Sequence, residues 1–525
     1  MPGVPLDAAG KIGIIADIEP HELSPLAWSN GRNVRFRDGK IIRSNSLQQV
    51  LGTTLGNPYW LKGIQTNTNA YWMYSSLTKM YLTDGGTHAE ITRAVGGDYT
   101  LDATRKWNGG ILGNIPILTD GNDVPQMYMS PGLANKLADL SNWPSGDRVN
   151  VLKPFKQFLV GAALTRGGVL YPHVVKWSHP AVTGNVPSTW DETDPTKQAG
   201  EVEIPDDQPG QIRDGVALRD TFVLYKDNTV WGMQFIGGNS IFRFYPILTQ
   251  TGILSNDCAV EILDGTMHFV ATGDDIILHD GQNTKSLLTK KMRQFLANNL
   301  AITNANRSFC VCDKAAKEAL FFFPSIGHIF LNMAIVYNYI EETLSLRDFT
   351  EELRHVGVGN IGGTANPWDL DAQVWDADSE IWDLLTFDPH YFSLVGCGDT
   401  TNQLQNINAD TVFGTSYLER TGLGITGQDR LTGEIKVDIT KRKLITRIWT
   451  KARKGPVQVS IGAQEDLDGP VTWLPQQTHT PGVTKYLDFV IGGRLNAVRF
   501  DWSVGAQNAC EIDGYDLEVS VLGDL

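Results

Sequence analysis

Short apolar runs joined by polar turns recur along most of the chain. Three strand-turn-strand units come early, YWMYSSLTKMYL (71–82), NIPILTDGNDVPQMY (114–128) and FLVGAALTRGGVLY (158–171), with turns near Ser76, Asp120 and Thr165. Three more follow, DTFVLYKDNTVWGMQF (220–235), MHFVATGDDIILHDG (267–281) and ALFFFPSIGHIFLNMAIVYNY (319–339), with turns near Asp227, Gly273 and His328. Runs rich in β-branched and aromatic residues, bounded by Gly, Asp and Asn, predict antiparallel hairpins.

The spacing of these turns predicts the architecture. Successive turns are 44, 45, 62, 46 and 55 residues apart, and a four-stranded unit every ~40 to 50 residues is the period of a β-propeller. We expect an all-β chain with six to eight blades, seven being the preferred count. The seventh unit would be YFSLVGCGDTTNQLQNIN (391–408), turning near Thr400. Ring closure could use the N-terminal hairpin.

Three predicted insertions explain the longer gaps between turns. Residues 178–210 form a loop rich in Pro and Asp, residues 285–300 read as a helix with one apolar stripe, and residues 365–390 form an acidic loop. The predicted domains are an N-terminal arm with a basic hairpin (1–54), the propeller (55–430) and a C-terminal β domain (431–525). Alternating strands such as VQVSI and AVRFDW make that last domain a β-sandwich or a jelly-roll-like fold.

Two basic segments lie near opposite ends of the chain. The hairpin NVRFRDGKIIR alternates apolar and basic residues around an Asp-Gly turn, and KRKLITRIWTKARK (441–454) holds seven basic residues and no acid. Propeller chain ends commonly meet, so the two segments are expected on one face. We predict an assembly interface there, with DNA contact or a solvated strand edge as alternatives. Its predicted residues are Arg35, Arg37, Lys40, Arg43, Lys441, Arg442 and Arg447.

The loop at 365–390 contains a short repeat of its own. Its tryptophans are spaced by seven and each is followed by an aspartate: Trp368, Trp375, Trp382, Asp369, Asp376 and Asp383. Calcium binding is disfavoured, because the glycine of a calcium loop is missing after Asp376 and Phe387 occupies its twelfth position. We expect packed tryptophans beside a solvated acidic face and no metal site. Sugar stacking is the alternative.

Composition limits the function classes further. The 525 residues include 59 acids and 44 Lys and Arg, giving a formal charge of -15, which argues against tight binding to phosphate backbones. The five cysteines are scattered and predict neither disulfides nor zinc. The N-terminus lacks the pattern of a signal peptide. Residues 321–340 are nearly uncharged, but Pro324 and Gly327 divide them into two strands, so no membrane span is predicted.

The chain contains no motif that predicts catalysis or a cofactor. HExxH, GxSxG and GxxxxGK[ST] are all missing from the sequence. The triplet GDD at 273–275 falls in a hairpin turn, where such residues are common. We therefore expect a protein that is not an enzyme.

Several segments, in their order along the chain, carry a family resemblance. NVRFRDGKIIRSNSLQ comes first, VVKWSHP and STWDETDPTKQAGEVEIP follow, and LYKDNTVWGMQFIGG, FRFYPILTQTGILS and the WD heptads come later. Together they resemble the propeller nozzle proteins of short-tailed bacteriophages, also called tail tubular or DNA-stabilisation proteins. The resemblance spans roughly residues 15–420, most specifically 174–255, and the last ninety residues match in character only.

This resemblance implies a structural virion protein located in the tail. It implies a homo-oligomeric ring, in the family a hexamer, that closes the DNA channel below the portal and conducts the genome during ejection. The implied partners are other copies of the chain, the head-to-tail adaptor ring, tail fibre or tip proteins and, transiently, the genome DNA. A receptor-binding or glycan-binding propeller is the alternative, and an enzyme acting on surface polysaccharide comes third.

Overall fold

A computed structural model describes residues 3–15, 18–65, 70–238, 240–361, 392–429, 431–502 and 509–524. Within these ranges the chain is almost entirely β, as the period of the sequence predicts. One α-helix, α1 (Lys290–Asn299), and one 3-10 helix (Ile302–Arg307) interrupt the strands. None of the described helices is long and apolar enough to cross a membrane.

The N-terminal segment contributes five strands before the propeller begins. They are β1 (Val4–Asp7), β2 (Asn30–Arg32), β3 (Val34–Arg37), β4 (Lys40–Arg43) and β5 (Asn45–Gln49).

Five four-stranded antiparallel sheets follow in chain order and form blades one to five. Blade one is β6 (Trp60–Gln65), β7 (Ala70–Ser75), β8 (Met80–Thr83) and β9 (His88–Glu90). Blade two is β10 (Asn108–Leu112), β11 (Ile115–Thr119), β12 (Gln126–Met127) and β13 (Ala138–Asp139). Blade three is β14 (Asp147–Phe155), β15 (Phe158–Arg166), β16 (Val169–Trp177) and β17 (Gly200–Glu203). Blade four is β18 (Ile212–Leu218), β19 (Thr221–Lys226), β20 (Thr229–Phe235) and β21 (Phe242–Thr249), and blade five is β22 (Ala259–Ile262), β23 (Met267–Ala271), β24 (Ile276–His279) and β25 (Thr284–Ser286).

Blades six and seven share one long strand. Blade six is β26 (Phe309–Asp313), β27 (Glu318–Phe323), β28 (Leu331–Asn338) and the first part of β29 (Thr343–Gly359). The second part of β29 is the inner strand of blade seven, which continues with β30 (Ser393–Gly398) and β31 (Leu404–Phe413). The predicted count of seven blades is therefore confirmed, and all seven predicted turns lie between the second and third strands of a blade.

The ring closes with a strand taken from the N-terminal segment. Strand β5 pairs with β31 as the outermost strand of blade seven, so closure uses the strand that follows the basic hairpin and not the hairpin itself. At the inner side, the facing strands of blades seven and one meet through glycines. A Cβ on Gly63 would lie 2.4 Å from the carbonyl oxygen of Val358, and one on Gly357 would lie 2.9 Å from that of Leu61.

Two of the predicted insertions can be compared with the structure. Strand β17 (Gly200–Glu203) pairs with β16, so the expectation that all of 178–210 lies outside the blade sheets is wrong for these four residues. The reason is that β16 offers an unpaired edge and the segment GEVE can complete the ladder. The prediction of a helical insertion over 285–300 is wrong at its start, because Lys285 and Ser286 pair with β24 as part of β25. The helix α1 occupies the later part of the range, and Met292 and Leu296 of its stripe are buried in the core of blades four to six. Residues 365–390 fall within 362–391, outside the described residues.

Both chain ends build a second, two-sheet domain, hereafter the sandwich. Its later strands are β32 (Ser416–Leu423), β33 (Ile425–Gln428), β34 (Ile435–Val437), β35 (Lys441–Arg453), β36 (Val457–Gln464), β37 (Thr472–Trp473), β38 (Gln477–His479), β39 (Leu487–Gly493), β40 (Leu495–Trp502) and β41 (Glu511–Asp524). One sheet has the order β3-β4-β41-β35-β39 with β1 beside β41, and the other has the order β2-β32-β40-β36-β37 with β38 beside β36. Strands β33 and β34 belong to neither of these sheets and pair with each other. A shared apolar core fills the space between them. The sandwich is thus one unit built from three predicted regions. It combines strands of the predicted arm, of the end of the predicted propeller range and of the predicted C-terminal domain.

Candidate functional site

The two basic segments meet in one sheet of the sandwich. Strand β41 pairs with β4 of the hairpin on one side and with β35 on the other. The residues of β41 that alternate with its buried ones are mostly acidic, and they include Glu511, Asp513, Asp516 and Glu518. An acidic strand therefore lies between two basic ones.

Cross-strand ion pairs consequently neutralise much of the basic charge. Asp513 accepts from Arg453 at 2.7 Å and lies 3.9 Å from Lys40, and Asp516 pairs with Lys451 at 2.7 Å. Acids elsewhere in the sandwich pair with the remaining predicted residues: Arg442 with Glu465 at 2.6 Å, Arg447 with Asp488 at 2.8 Å and Lys441 with Asp438 at 3.9 Å. The segment 441–454 looked unneutralised because it contains no acid itself and most of its partners are distant in sequence.

Arg35 and Arg37 of the hairpin face the propeller. Arg35 makes a bidentate ion pair with Glu318 of blade six, with Nε and Nη2 each 2.8 Å from a carboxylate oxygen. Arg37 donates to the carbonyl oxygen of Ala315 at 3.2 Å, and the backbone N–H of Asp38 donates to Glu341. The hairpin thus joins the sandwich to the turns of blade six. Arg35 is engaged inside the monomer, which changes how the predicted assembly interface must be tested.

Two further basic residues are buried inside the sandwich. Arg43 donates to the carbonyl oxygen of Gly414 at 2.8 Å, and its guanidinium lies 5.2 Å from the ring centroid of Phe413. Lys443 donates to backbone carbonyls, and burial lowers its pKa to about 8. Among the predicted interface residues, Arg442 and Arg447 differ from the buried arginines because their side chains are partly exposed. Their acidic partners, Glu465 and Asp488, are each more than half exposed.

The other predicted features are the tryptophans and aspartates of the acidic loop, the unpaired cysteines and the lack of a metal site. Trp368, Trp375, Trp382, Asp369, Asp376 and Asp383 all lie outside the described residues. All five cysteines are buried and free. Among the described residues, no group of three His, Cys, Asp or Glu side chains is arranged to hold a metal ion.

A second candidate site, which the sequence did not reveal, lies on the propeller axis. The inner strands of several blades surround a cavity of about 240 Å³, hereafter the axial cavity. Apolar side chains line the cavity together with side chains that carry polar or charged groups, among them Lys62, Trp107, Lys153, Asp257 and His355.

Lys153 and two aspartates form the most strongly coupled charges of the axial cavity. Lys153 Nζ lies 3.0 Å from Asp257 Oδ1 and 3.3 Å from Asp214 Oδ1. Burial alone would raise the pKa of Asp257, but Lys153 and Lys106 outweigh this effect and lower it to about 2. Burial also tends to lower the pKa of Lys153, and the two carboxylates reverse that tendency and raise it. Lys153 and Asp257 are therefore charged at neutral pH, whereas burial raises the pKa of Asp214.

Two other lysines near the axis have only backbone carbonyl partners in the described part of the chain. Lys62 donates to Gly109 O at 3.1 Å, and burial together with the charge of Lys153 lowers its pKa to about 8. Lys106 donates to Ser308 O at 2.7 Å and stands 4.7 Å from the ring centroid of Phe309. A lysine inside each of the mainly apolar stretches 60–65 and 150–155 was the available sequence signal for this site.

Comparisons with known proteins bear on the general architecture. No protein-family model matches the chain, and no curated protein matches it either. Among solved structures, a proposed 6-phosphogluconolactonase from Bacteroides fragilis has 9% identity and a TM-score of 0.35, covering 75% of this chain and 94% of that one. YCF48 bound to D1 peptide has 11% identity and a TM-score of 0.37, with 70% and 96% covered.

A third solved structure is an exo-β-1,3-galactanase from Phanerochaete chrysosporium. It has 8% identity and a TM-score of 0.25, with 91% of this chain and 100% of that chain covered. Some of these proteins are named as enzymes, but similarity at this level carries no argument about what the present chain binds or does.

Proposed function

We propose that this chain is a structural, non-enzymatic subunit of the tail of a short-tailed bacteriophage. In this proposal, six copies form the nozzle ring that closes the DNA channel and conducts the genome during ejection. The sequence resemblance over residues 15–420 supports the family, and the distribution of charge supports the role.

The observation that carries the proposal is the internal neutralisation of the two most basic segments. Affinity for DNA comes from lysines and arginines that release counterions from phosphates. Here most cations of β35, together with Arg35 and Lys40 of the hairpin, are paired with carboxylates of the same chain. Six copies at -15 carry -90. Wherever the acids face the channel, they repel phosphates, so DNA passes without being held.

The ring contact is assigned to the exposed ion pairs of the sandwich. The side chains of Arg442 and Glu465 are 49% and 52% exposed, and exposed pairs contribute only about 0–1 kcal/mol. A carboxylate of a neighbouring subunit can therefore replace Glu465 or Asp488 at little cost. Arg35 is excluded from this role because its partner Glu318 is buried within the same monomer.

The test compares charge reversal with a charge-conserving control. Wild-type protein should form six-fold rings in low-resolution images, and labelled protein should locate to the end of the virion tail. The variant Arg442→Glu/Arg447→Glu should stay folded and monomeric, whereas Arg442→Lys/Arg447→Lys should still assemble.

Three outcomes would contradict parts of this proposal. Normal rings from the reversed variant, with altered DNA retention only, would replace the interface role with DNA contact. Wild-type protein that forms no ring and is missing from the tail would refute the nozzle function. Selective retention of the monomer on a glycan array would favour the receptor-binding alternative instead.

A further inference from the structure

The axial cavity contains two buried polar atoms that lack hydrogen-bond partners among the described residues. These atoms are Trp107 Nε1 and His355 Nδ1, and both side chains line the cavity while being only 2% and 7% exposed. Buried polar groups are nearly always satisfied, so two such atoms at one cavity indicate a missing partner. Neither atom belongs to the proposed ring interface.

The charges around the cavity are not balanced. Lys62, Lys106 and Lys153 supply three basic groups near the axis, whereas Asp214 and Asp257 supply at most two negative charges, since burial raises the pKa of Asp214. The ion pairs account for Lys153, and the other two lysines donate only to backbone carbonyls within the described ranges. A buried and uncompensated cation is costly. An anion is therefore the complementary occupant, even in a protein of net charge -15.

The free atoms define the chemistry of that anion more closely. The indole N–H of Trp107 can only donate a hydrogen bond. Burial lowers the pKa of His355 to about 3, with nearby Lys106 acting in the same direction, so the ring is neutral. A backbone hydrogen bond with Leu61 acts in the opposite direction, which is the effect of a ring N–H donating to a carbonyl. A neutral imidazole has one ring nitrogen that accepts, and Nδ1, which has no partner among the described residues, can accept from a donor on the occupant.

We propose that the axial cavity is a binding site for a small oxyanion that carries one protonated oxygen, hydrogen phosphate being the simplest member of this class. Its charged oxygens accept from Lys62 Nζ and Trp107 Nε1, and its hydroxyl group donates to His355 Nδ1. The cavity volume of about 240 Å³, which is the space open to the centre of a water-sized sphere, is sufficient for such an ion with several waters. One water needs roughly 10–15 Å³ of such space.

Phosphate and sulfate make a matched pair of probes, because they have nearly the same size and only phosphate keeps an O–H at neutral pH. Calorimetric titration of the purified protein at constant ionic strength should show one site per chain for phosphate. Sulfate should bind roughly tenfold more weakly, because it leaves the histidine nitrogen without a donor. Equal affinity for the two ions would refute the role of the hydroxyl group, and no heat from either ion would refute the site.

Two variants assign the contacts. Lys62→Met should reduce phosphate affinity roughly tenfold or more. It should also raise the melting temperature of the ligand-free protein, because it removes an uncompensated buried charge. Lys285→Met, which removes a lysine that pairs with Glu342 at the surface, should leave phosphate binding unchanged. A loss of affinity in Lys285→Met equal to that in Lys62→Met would reduce the observation to non-specific charge and overturn the proposal.

The histidine can be tested separately. His355 stacks on Phe309 with ring centroids 4.7 Å apart, so His355→Phe keeps an aromatic ring in that place. This variant should bind phosphate and sulfate with equal, weak affinity. Retention of the preference for phosphate in a folded His355→Phe protein would show that the histidine does not recognise the hydroxyl group.

Discussion

The ion pair between Arg35 and Glu318 should make a large contribution to stability, since it connects the sandwich to the propeller. The two side chains are 17% and 6% exposed, and their atoms meet in two contacts of 2.8 Å. The perturbation is Arg35→Ala, which leaves the carboxylate of Glu318 buried without its main partner. Such a loss costs about 3–5 kcal/mol.

The neighbouring charges place the expected value in that range. Burial lowers the pKa of Arg347 to about 9, and the positive charge of nearby Arg35 acts in the same direction. In the Arg35→Ala variant, Arg347 partly compensates Glu318, so we expect about 3 kcal/mol, the lower end. Glu318→Ala should cost a similar amount because it leaves two arginines together. The double variant should cost less than the sum of the two.

The assay is equilibrium unfolding in urea, followed by tryptophan fluorescence at a protein concentration where the chain is monomeric. A change of midpoint at constant slope reports stability. A second transition in the Arg35→Ala variant would show that the sandwich has become independent of the propeller. The matched control is Arg442→Ala, whose exposed pair with Glu465 should contribute less than about 1 kcal/mol.

One result would refute this reasoning. If Arg35→Ala costs no more than Arg442→Ala, then the buried position of Glu318 does not determine the strength of the contact. The same result would restore Arg35 to the residues available for an assembly interface.

Three further predictions test other parts of the structure. Burial lowers the pKa of His268 and His279 to about 4, so the unfolded chain binds protons first as the pH falls from 7 to 5. The unfolding free energy should then decrease by about 2 kcal/mol per histidine. If urea unfolding of a His268→Gln/His279→Gln variant shows the same pH dependence of the unfolding free energy as the wild type, this prediction is wrong. Gly63→Ala should lower the unfolding free energy by at least about 1–3 kcal/mol, because its Cβ would lie 2.4 Å from a backbone oxygen, whereas Gly273→Ala has open space and should change the melting temperature little. A chromogenic thiol reagent should react slowly with the native protein, and after denaturation it should titrate five thiols. A fast reaction with the native protein would contradict the burial of Cys258, Cys310, Cys312, Cys397 and Cys510.

The sequence by itself determined the repeated part of the fold. A strand pair and its turn are encoded locally, by apolar alternation and by residues such as Asp227 and Gly273 that favour turns. Seven such signals therefore predicted seven blades, and an all-β propeller followed from their spacing. Local patterns also predicted the basic hairpin and the C-terminal strands, because each depends on residues within a few positions of one another.

Only the tertiary structure decided which distant segments become partners. The charge of β35 is neutralised by β41, and Arg35 pairs with Glu318, which is 283 positions away. Ring closure by β5 and the meeting of Lys62, Lys153 and Asp257 on the axis are equally non-local. The physical reason is that side-chain alternation and turn residues are set by neighbouring positions in the chain. Pairing between strands and between charges depends on three-dimensional distance, which the local sequence does not encode.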